Sequence, residues 1–441
     1  MDAAVRQRDR DGQTLSSADQ RATIFARSTG ALPSAIAIVR ISGPSAAKAL
    51  RILTARPLPA ERMAVTRHLR DGQGALLDTT LVLWLPGPRT VTGEDLVELH
   101  LHGGRAVVEA VEVELSKMES LRAAEPGEFT RRAFENGKID LSQVEGLADL
   151  LSAETSRQRI AALTMVEGGL RRDVERWQSN LLALAARVEA SIDHDDEPDV
   201  VAGYIDQDTR ALVAMFDAAL AQPPAERLRD GVRIGIAGPP NAGKSTLINA
   251  LAGRDAAIVS PLAGTTRDLV EVPLMMGGIP VILIDMAGLR EDSTDSIEII
   301  GIDRAQEAIA RSDLLLWLGL PERAPSESNI LIVSPKCDVA PRGAGYAVSA
   351  CTGEGMRALR AAIQTAAEAL LPSLSSIALT VAQKAHIESA RNALVESTDQ
   401  LDDVLRAESL RYAMAALDRI TGRADTEAML DALFGRFCIG K

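Results

Sequence analysis

Short apolar runs at Ala35–Ile41 (AIAIVRI), Thr80–Leu85 (TLVLWL) and Leu96–Leu101 (LVELHL) are separated by turn signals such as SGP and PGP. Runs of this length, rich in branched residues and bounded by Gly and Pro, predict strands. Arg105–Met118 instead has helical spacing, so the stretch from about Ala22 to Glu135 predicts an α+β domain. From Leu141 to about Leu228 the period becomes helical throughout. Leu170, Val174, Trp177, Leu181, Leu184 and Val188 recur at alternating steps of four and three, the seam of a helix bundle. His194–Asp199 and Gln222–Pro224 interrupt it as expected loops. Residues from Arg229 to Pro372 alternate β-rich runs with helices, the pattern of an α/β domain on a largely parallel sheet. Helical texture then returns through Ile387, Ala390, Leu394 and Leu401. The α/β domain is thus expected to be inserted into an all-α domain. The expected divisions are a polar arm at 1–21, an α+β domain at 22–140, helical parts at 141–228 and 373–441, and the insert at 229–372.

Composition narrows the class. A chain of 441 residues suggests roughly three domains at about 150 residues each. Apolar residues at 46% and charged residues at 25% exclude a disordered chain. No apolar run approaches the roughly 18 residues of a membrane span, so no membrane partner is expected. The first residues mix Arg6, Arg8 and Arg10 with Asp2, Asp9 and Asp11 and hold no apolar core, which argues against secretion. Cys337, Cys351 and Cys438 have neither disulfide-framework nor zinc spacing, and a cytoplasmic location is expected. A net charge of −13 excludes a broad nucleic-acid-coating surface but leaves room for a local basic patch.

The strongest chemical signal follows the predicted strand Val232–Ala237. There the chain reads Gly238-Pro-Pro-Asn-Ala-Gly243-Lys244-Ser245, a G-x-x-x-x-G-K-[ST] loop, and a helix is predicted over Thr246–Leu251. Backbone N–H groups of Asn241, Ala242, Gly243 and the following turn can wrap phosphates. Lys244 supplies a point charge, and the Ser245 hydroxyl can ligate Mg²⁺. About twenty residues on, Gly264-Thr265-Thr266-Arg267-Asp268 has the composition of a switch loop whose threonine reaches Mg²⁺ only with the γ-phosphate present. The strand Pro280–Ile284 runs into Asp285-Met286-Ala287-Gly288, where an Asp can hold Mg²⁺ through water and a glycine N–H can meet the γ-phosphate. The strand Asn329–Val333 precedes Ser334-Pro335-Lys336-Cys337-Asp338, and Asp338 is placed to accept from guanine N1 and N2. Pro335 stands where an asparagine would donate a neutral hydrogen bond worth about 0.5–1.5 kcal/mol. After the short strand Tyr346–Val348, Ser349, Ala350 and Cys351 complete a guanine-contacting loop. In this order the pieces specify a GTPase, with ATP use as the rival.

The series GPPNAGKST, AGTTRD, DMAGLRE, PKCD and SACTGEG inside a helical domain resembles the MnmE (TrmE) family of tRNA modification GTPases. So do AIAIVRISG at Ala35–Gly43, TGEDLVELHLHGG at Thr92–Gly104, PGEFTRRAFENGKIDLSQVEGLADLL at Pro126–Leu151, and the terminal Phe437-Cys438-Ile439-Gly440-Lys441. The resemblance runs from about Ala22 to Lys441. It implies a cytoplasmic homodimer joined through N-terminal domains that bind a reduced folate, 5-formyltetrahydrofolate or methylenetetrahydrofolate. It further implies a heterotetramer with the FAD-dependent MnmG, which uses FAD and NADH, and modification of carbon 5 of the wobble uridine of certain tRNAs.

Carried over residue by residue, the resemblance makes Asn241 a potassium ligand together with Ser260, Leu262 and Thr265. It makes Ser245 and Thr266 the Mg²⁺ ligands. Nucleotide contact extends over Thr246 and the run Ser260, Pro261, Leu262, Ala263, Gly264, Thr265, Thr266, and over Asp285, Met286, Ala287 and Gly288. Glu298 matches the glutamate that orients the attacking water. Arg40, Glu98, Lys138 and Lys441 match folate-contacting positions, and Cys438 matches a cysteine important for the modification. His100 and His102, alternating with Leu99 and Leu101, are expected to be structural or folate-adjacent. Two other readings compete: an Era- or Der-like RNA-binding switch in ribosome assembly, and a folate-binding homologue with impaired GTP binding. If Glu298 positions water, Glu298→Ala slows GTP hydrolysis while nucleotide affinity stays within about twofold of wild type, a change of under 0.5 kcal/mol. Loss of nucleotide binding in that variant, read by equilibrium titration, would reject a purely catalytic role.

Overall fold

The computed structural model describes residues 22–193, 198–239, 241–253, 270–285, 312–326, 329–339, 343–373, 376–400, 402–422, 427–435 and 437–440. They fall into two compact units, one within Met1–Ala148 and Thr421–Lys441, the other Asp149–Ile420.

The first unit is built on six strands: β1 (Thr23–Arg27), β2 (Ile36–Ser42), β3 (Val65–Arg70), β4 (Leu76–Leu85), β5 (Leu96–His102) and β6 (Leu121–Ala123). Their order is β3-β4-β5-β2-β1-β6, antiparallel throughout except for the parallel β1–β6 pair. Because side chains alternate along a strand, Ala37, Val39 and Ile41 of β2 and Val97, Leu99 and Leu101 of β5 all reach one buried face. Helices α1 (Ala46–Thr54) and α2 (Arg105–Ser116) cover that face with Ala49, Leu50, Leu53, Val108, Val111 and Leu115. The intervening positions, Arg40 of β2 with Glu98 and His100 of β5, stay half-buried on the opposite face. After α3 (Glu128–Glu135) and α4 (Leu141–Ser152), the last helix, Glu427–Phe434, completes a small core in which Phe434 and Phe437 pack with Phe134 and Val144.

In the second unit, helices α5 (Ser156–Val166), α6 (Gly169–Asp193) and α7 (Pro198–Leu220) precede a mixed region and return as the last two helices of the unit, Val381–Asp399 and Asp403–Ile420. All six seam residues of α6 are buried, and Trp177 meets Phe216 edge to face at 5.3 Å. Pro198 and Asp199, expected in a loop, instead begin α7, since a proline at a first helical turn lacks an N–H that would have no partner there. Thr155 with Gln158 and Thr380 with Gln383 form reciprocal capping boxes on the helices they start.

Between these helices lie α8 (Glu226–Arg229), β7 (Val232–Ala237), α9 (Lys244–Ala252), β8 (Val270–Met276), β9 (Ile279–Asp285), β10 (Leu314–Trp317), β11 (Ile330–Ser334), β12 (Tyr346–Ala347) and α10 (Met356–Ala369). The sheet order is β12-β11-β10-β7-β9-β8, parallel except for β8 against β9. Val232, Ile234, Ile236, Val281, Leu283, Leu314 and Leu316 line one buried face, and Ala237, Ile284 and Leu315, at the alternate positions, are buried on the other. The sheet is tied to the helices around it by Arg227, whose Nε lies 2.7 Å from Asp313, and by Ala225 N–H donating to Leu379 C=O at 2.8 Å.

A buried ion network locks the first unit. Arg132, only 5% exposed, donates to Glu128 Oε1 (2.9 Å), to both Glu94 carboxylate oxygens (3.2 Å each) and to Ala22 C=O (2.8 Å). Arg122 holds the same Glu128 bidentately at 2.7 and 2.8 Å. Burial alone would raise the Glu128 carboxyl. The Arg122 hydrogen bonds, the Glu125 N–H and the charges of Arg122 and Arg132 outweigh it and hold the group below its ordinary value of 4.5. A depressed carboxyl contributes stability that is present above 4.5 and lost as pH falls through the lower folded value. Denaturant midpoints followed from about pH 6 to about pH 3 should therefore fall more steeply in wild type than in Glu128→Gln. Equal slopes would remove Glu128 from the account.

Candidate functional site

The phosphate-binding loop leaves β7 at Ala237. Gly238 has φ +153° and a Cβ there would sit 2.6 Å from Leu318 C=O, so no other residue fits. Asn241 takes the left-handed region at φ 59°, which asparagine tolerates better than most side chains, and Gly243 does so at φ 95° as the N-cap of α9. Lys244 follows directly. Its Nζ donates to Gly238 C=O and Pro239 C=O at 3.1 Å each, which folds the ammonium back over the loop it must serve. Ser245 Oγ donates to Asp285 Oδ2 at 3.0 Å. The pairing of β7 with β9 sets this contact, because Ile236 lies opposite Asp285 at the carboxyl ends of both strands.

A second loop closes on the first. Lys336, at φ 59°, donates from Nζ to Asn241 C=O at 2.8 Å, so the base-selective loop is bonded to the phosphate loop. Val348 N–H donates to Ser334 C=O (2.9 Å) and Cys337 N–H to Val348 C=O (3.1 Å), bracketing Pro335. The position where proline lacks an N–H is one this strand-end ladder does not use, so the loop keeps its course. Asp338 and Cys351 are exposed and Ala350 is half-buried, while Ser349 is buried and its Oγ accepts from Thr352 N–H at 3.1 Å. Gly355 shapes that last loop, since a Cβ at its φ of +72° would stand 2.0 Å from Ala347 C=O. Asn241, Ala242, Gly243, Lys244, Ser245, Thr246 and Asp285 are thus gathered in one place, with Lys336 joined to them. Ser260, Pro261, Leu262, Ala263, Gly264, Thr265, Thr266, Met286, Ala287, Gly288 and Glu298 lie outside the described residues.

The first unit carries the other predicted site residues. Arg40 and Glu98 are register partners on β2 and β5, with Arg40 Nε 2.9 Å from Glu98 Oε1. His100 Nε2 lies 3.4 Å from the other carboxylate oxygen, a contact that the alternation of His100 with Leu99 and Leu101 could have suggested. His102 instead pairs with the buried Asp78 at 2.7 Å, a structural role. A carboxylate offers about four acceptor directions, so Glu98 keeps capacity for a further donor. The Lys138 side chain lies over Gly93, where a Cβ would come within 2.8 Å of its Cε. Cys438 is a free, exposed thiol in a tail anchored on both sides. Ile439 bridges to Pro126, and Gly440, at φ +93°, packs so closely that a Cβ would meet Arg27 C=O at 2.1 Å. Ser28 Oγ also donates to Gly440 C=O at 2.9 Å. The tail therefore ends beside β1, the strand that pairs with the strand of Arg40. Sequence reasoning could not place this tail, because the contact joins residues 412 positions apart. Lys441 lies outside the described residues.

Comparison with known proteins identifies the family. A family model for the MnmE helical domain matches residues 141–438, and one for the GTP-binding protein TrmE N-terminus matches residues 23–138. The chain belongs to the MnmE family. The tRNA modification GTPase MnmE of Rhizorhabdus wittichii is 53% identical over 428 residues, covering 95% of this chain and 96% of that protein. That of Erythrobacter litoralis is 52% identical over 425 residues, covering 95% of this chain and all of that protein. The crystallised G domain of the T. maritima FeoB iron transporter is 24% identical over 31% of this chain and 98% of that one, with a TM-score of 0.24. The expectation of an α+β N-terminal domain and a helical domain agrees with the two family models, and that of a GTPase with the named relatives. No helix among the described residues of this MnmE-family chain is long and apolar enough to cross a membrane.

Because the ladder around Pro335 is intact, the cost of this proline is the missing side-chain amide alone. Pro335→Asn should tighten GTP binding about two- to tenfold, the equivalent of one neutral hydrogen bond. Unchanged or weaker affinity by calorimetry would mean that the loop is tuned to proline.

Proposed function

We propose that this chain is the GTP-hydrolysing member of a system that modifies carbon 5 of the wobble uridine in certain tRNAs, adding a carboxymethylaminomethyl-type group. The chain is a GTPase of tRNA modification by family. The observation that carries the reading further is the joined loop pair, with Ser245 on Asp285 and Lys336 on Asn241. That arrangement joins the base-selective loop to the phosphate loop by a direct hydrogen bond.

Ser245 Oγ, 3.0 Å from Asp285 Oδ2 at the mouth of the loop, is a hard oxygen donor that fits Mg²⁺, which Asp285 would hold through water. Bound there, Mg²⁺ supplies neutralisation of charge on the β- and γ-phosphates. Lys244 exchanges its two carbonyl contacts for phosphate oxygens, Thr266 is the second Mg²⁺ ligand, and Glu298 orients the attacking water. Asn241 is exposed at the turn of the loop, and its amide oxygen suits K⁺, with Ser260, Leu262 and Thr265 as the remaining ligands. Asp338, Ser349, Ala350 and Cys351 select guanine.

On the first unit, Arg40, Glu98 and Lys138, with Lys441, hold a reduced folate that provides the one-carbon unit. The half-buried Glu98 accepts from an amino-imine edge with its remaining lone pairs while Arg40 and His100 fix its orientation. Cys438, on its anchored tail, serves the modification chemistry. The chain works in the cytoplasm as a homodimer, with the FAD-dependent MnmG supplying redox chemistry from FAD and NADH. Steady-state GTP turnover in KCl against NaCl, with ATP as control, tests the reading. Faster GTP hydrolysis in KCl, abolished in Asn241→Ala, is the expected result. Equal rates in the two salts would reject the potassium assignment, and absence of GTP turnover in both would reject the GTPase reading itself.

A further inference from the structure

The chain is acidic overall, yet between Pro44 and Arg70 six cations stand against one carboxylate, Glu61. These are Lys48 and Arg51 on α1, Arg56 and Arg62 on the connection that follows, and Arg67 and Arg70 on the edge strand β3. Lys48, Arg51, Arg56, Arg62 and Arg70 are exposed, and Arg67 is half-buried at the sheet edge. Arg62, Arg67 and Arg70 donate to the main-chain carbonyls of Arg89, Thr66 and Gly74, and none of the six pairs with a carboxylate among the described residues. Three of the four arginines of α6 differ in this respect. Arg171 is held by Glu175, Arg176 by Asp173 and Arg187 by Asp208, while Arg172 donates to Glu167 C=O. An arginine already paired with a carboxylate has less to gain from a phosphate than one paired only with a carbonyl.

The fold brings Lys48, Arg51 and Arg67 together. The buried side of α1, with Ala46, Ala49, Leu50 and Leu53, packs in the same core as Leu69 of β3, so Lys48 and Arg51 face solvent next to the edge strand. We infer that this α1–β3 surface is where the tRNA backbone docks on the chain. The inference rests on the tRNA-modification reading. Phosphate contacts of this kind set register and orientation and carry no base sequence, which suits an enzyme acting on more than one tRNA. The Arg40–Glu98 pair lies on the opposite face of the sheet, so the docking surface holds the body of the RNA away from the pterin site.

The test is binding of fluorescein-labelled unmodified tRNA transcript to the full chain, by anisotropy, in KCl from about 50 to about 200 mM. Arg51→Ala/Arg56→Ala/Arg67→Ala is compared with wild type and with a charge-matched control, Arg171→Ala/Arg172→Ala/Arg176→Ala. Each lost phosphate contact should reduce the slope of log affinity against log salt by about 0.7–0.9, so the first triple variant should lose about 2 from the slope and at least tenfold in affinity at low salt. Its GTP turnover without tRNA should be unchanged, which reports a folded protein. Affinity and slope equal to wild type would overturn the docking surface while leaving tRNA binding in place. An equal loss in the control triple would overturn it as well, because bulk charge would then be the cause. Self-association of the first variant with intact tRNA binding would show instead that the cations guard an open strand edge, and would overturn it. Failure of wild type to bind tRNA at any salt is a separate result, which removes the reading on which the inference rests.

Discussion

The parallel pairing of β7 with β9 and β10 is the constraint on which the nucleotide site depends. Val232, Ile234, Ile236, Val281 and Leu283 share one packed face, and a one-residue slip would move them all to the other. The ladder that places Ile236 opposite Asp285 therefore places the start of the phosphate loop beside the end of β9. The Ser245–Asp285 contact and the seating of Lys244 follow from that register. One pair further out, β10 on β11 and β11 on β12 carry the base-selecting loops to the same edge, where Lys336 reaches Asn241 C=O. The three loops meet because their strands all run the same way and end together.

The first unit solves a different problem with the same alternation. Its sheet gives one face to the main packed core, while on the other β2 and β5 present Arg40, Glu98 and His100 and β1 packs Ile24 and Ala26 against Phe129. Charged side chains can hold a fixed geometry there because their backbones belong to rigid strands. The buried Arg132 adds a clamp, joining α3 to the Glu94 loop and to Ala22 at the entrance of β1. Such a network is costly to desolvate and stable only when every member is bonded, and the bidentate Arg122–Glu128 pair helps complete it.

Charge is distributed with the same economy. On the helices, opposite charges sit three or four residues apart and neutralise each other locally, as Arg171 with Glu175 and Arg176 with Asp173. On β3 Arg67 and Arg70 donate to main-chain carbonyls, and no cation of α1 or β3 pairs with a carboxylate among the described residues. In a protein with a net charge of −13, that contrast concentrates the positive field on one edge of one domain.

Much of this was legible before any coordinates. Periodicity located the strands β2, β4, β5, β7 and β9 and the seam of α6, because alternation and heptad spacing are local consequences of which face is buried. The short strands β1, β3, β6 and β8 were not individually legible. β1 (TIFAR) and β6 (LRA) are too short for a period to show, β3 (VTRHLR) is mostly polar and β8 (VEVPLMM) is broken by a proline, so their partners define them. The phosphate loop could be read from its residues because its chemistry is contiguous: glycines for the turn, a lysine and a hydroxyl at fixed spacing. The tertiary structure decided what contiguity cannot. It bonded Lys336 to Asn241 across 95 positions, pressed Gly440 against Arg27, showed that the ladder passes Pro335 undisturbed, and separated paired arginines from unpaired ones. Sequence alone determines which chemistry each segment can offer. Which segments meet is a matter of register and packing, and those are settled only when distant stretches of chain share a core.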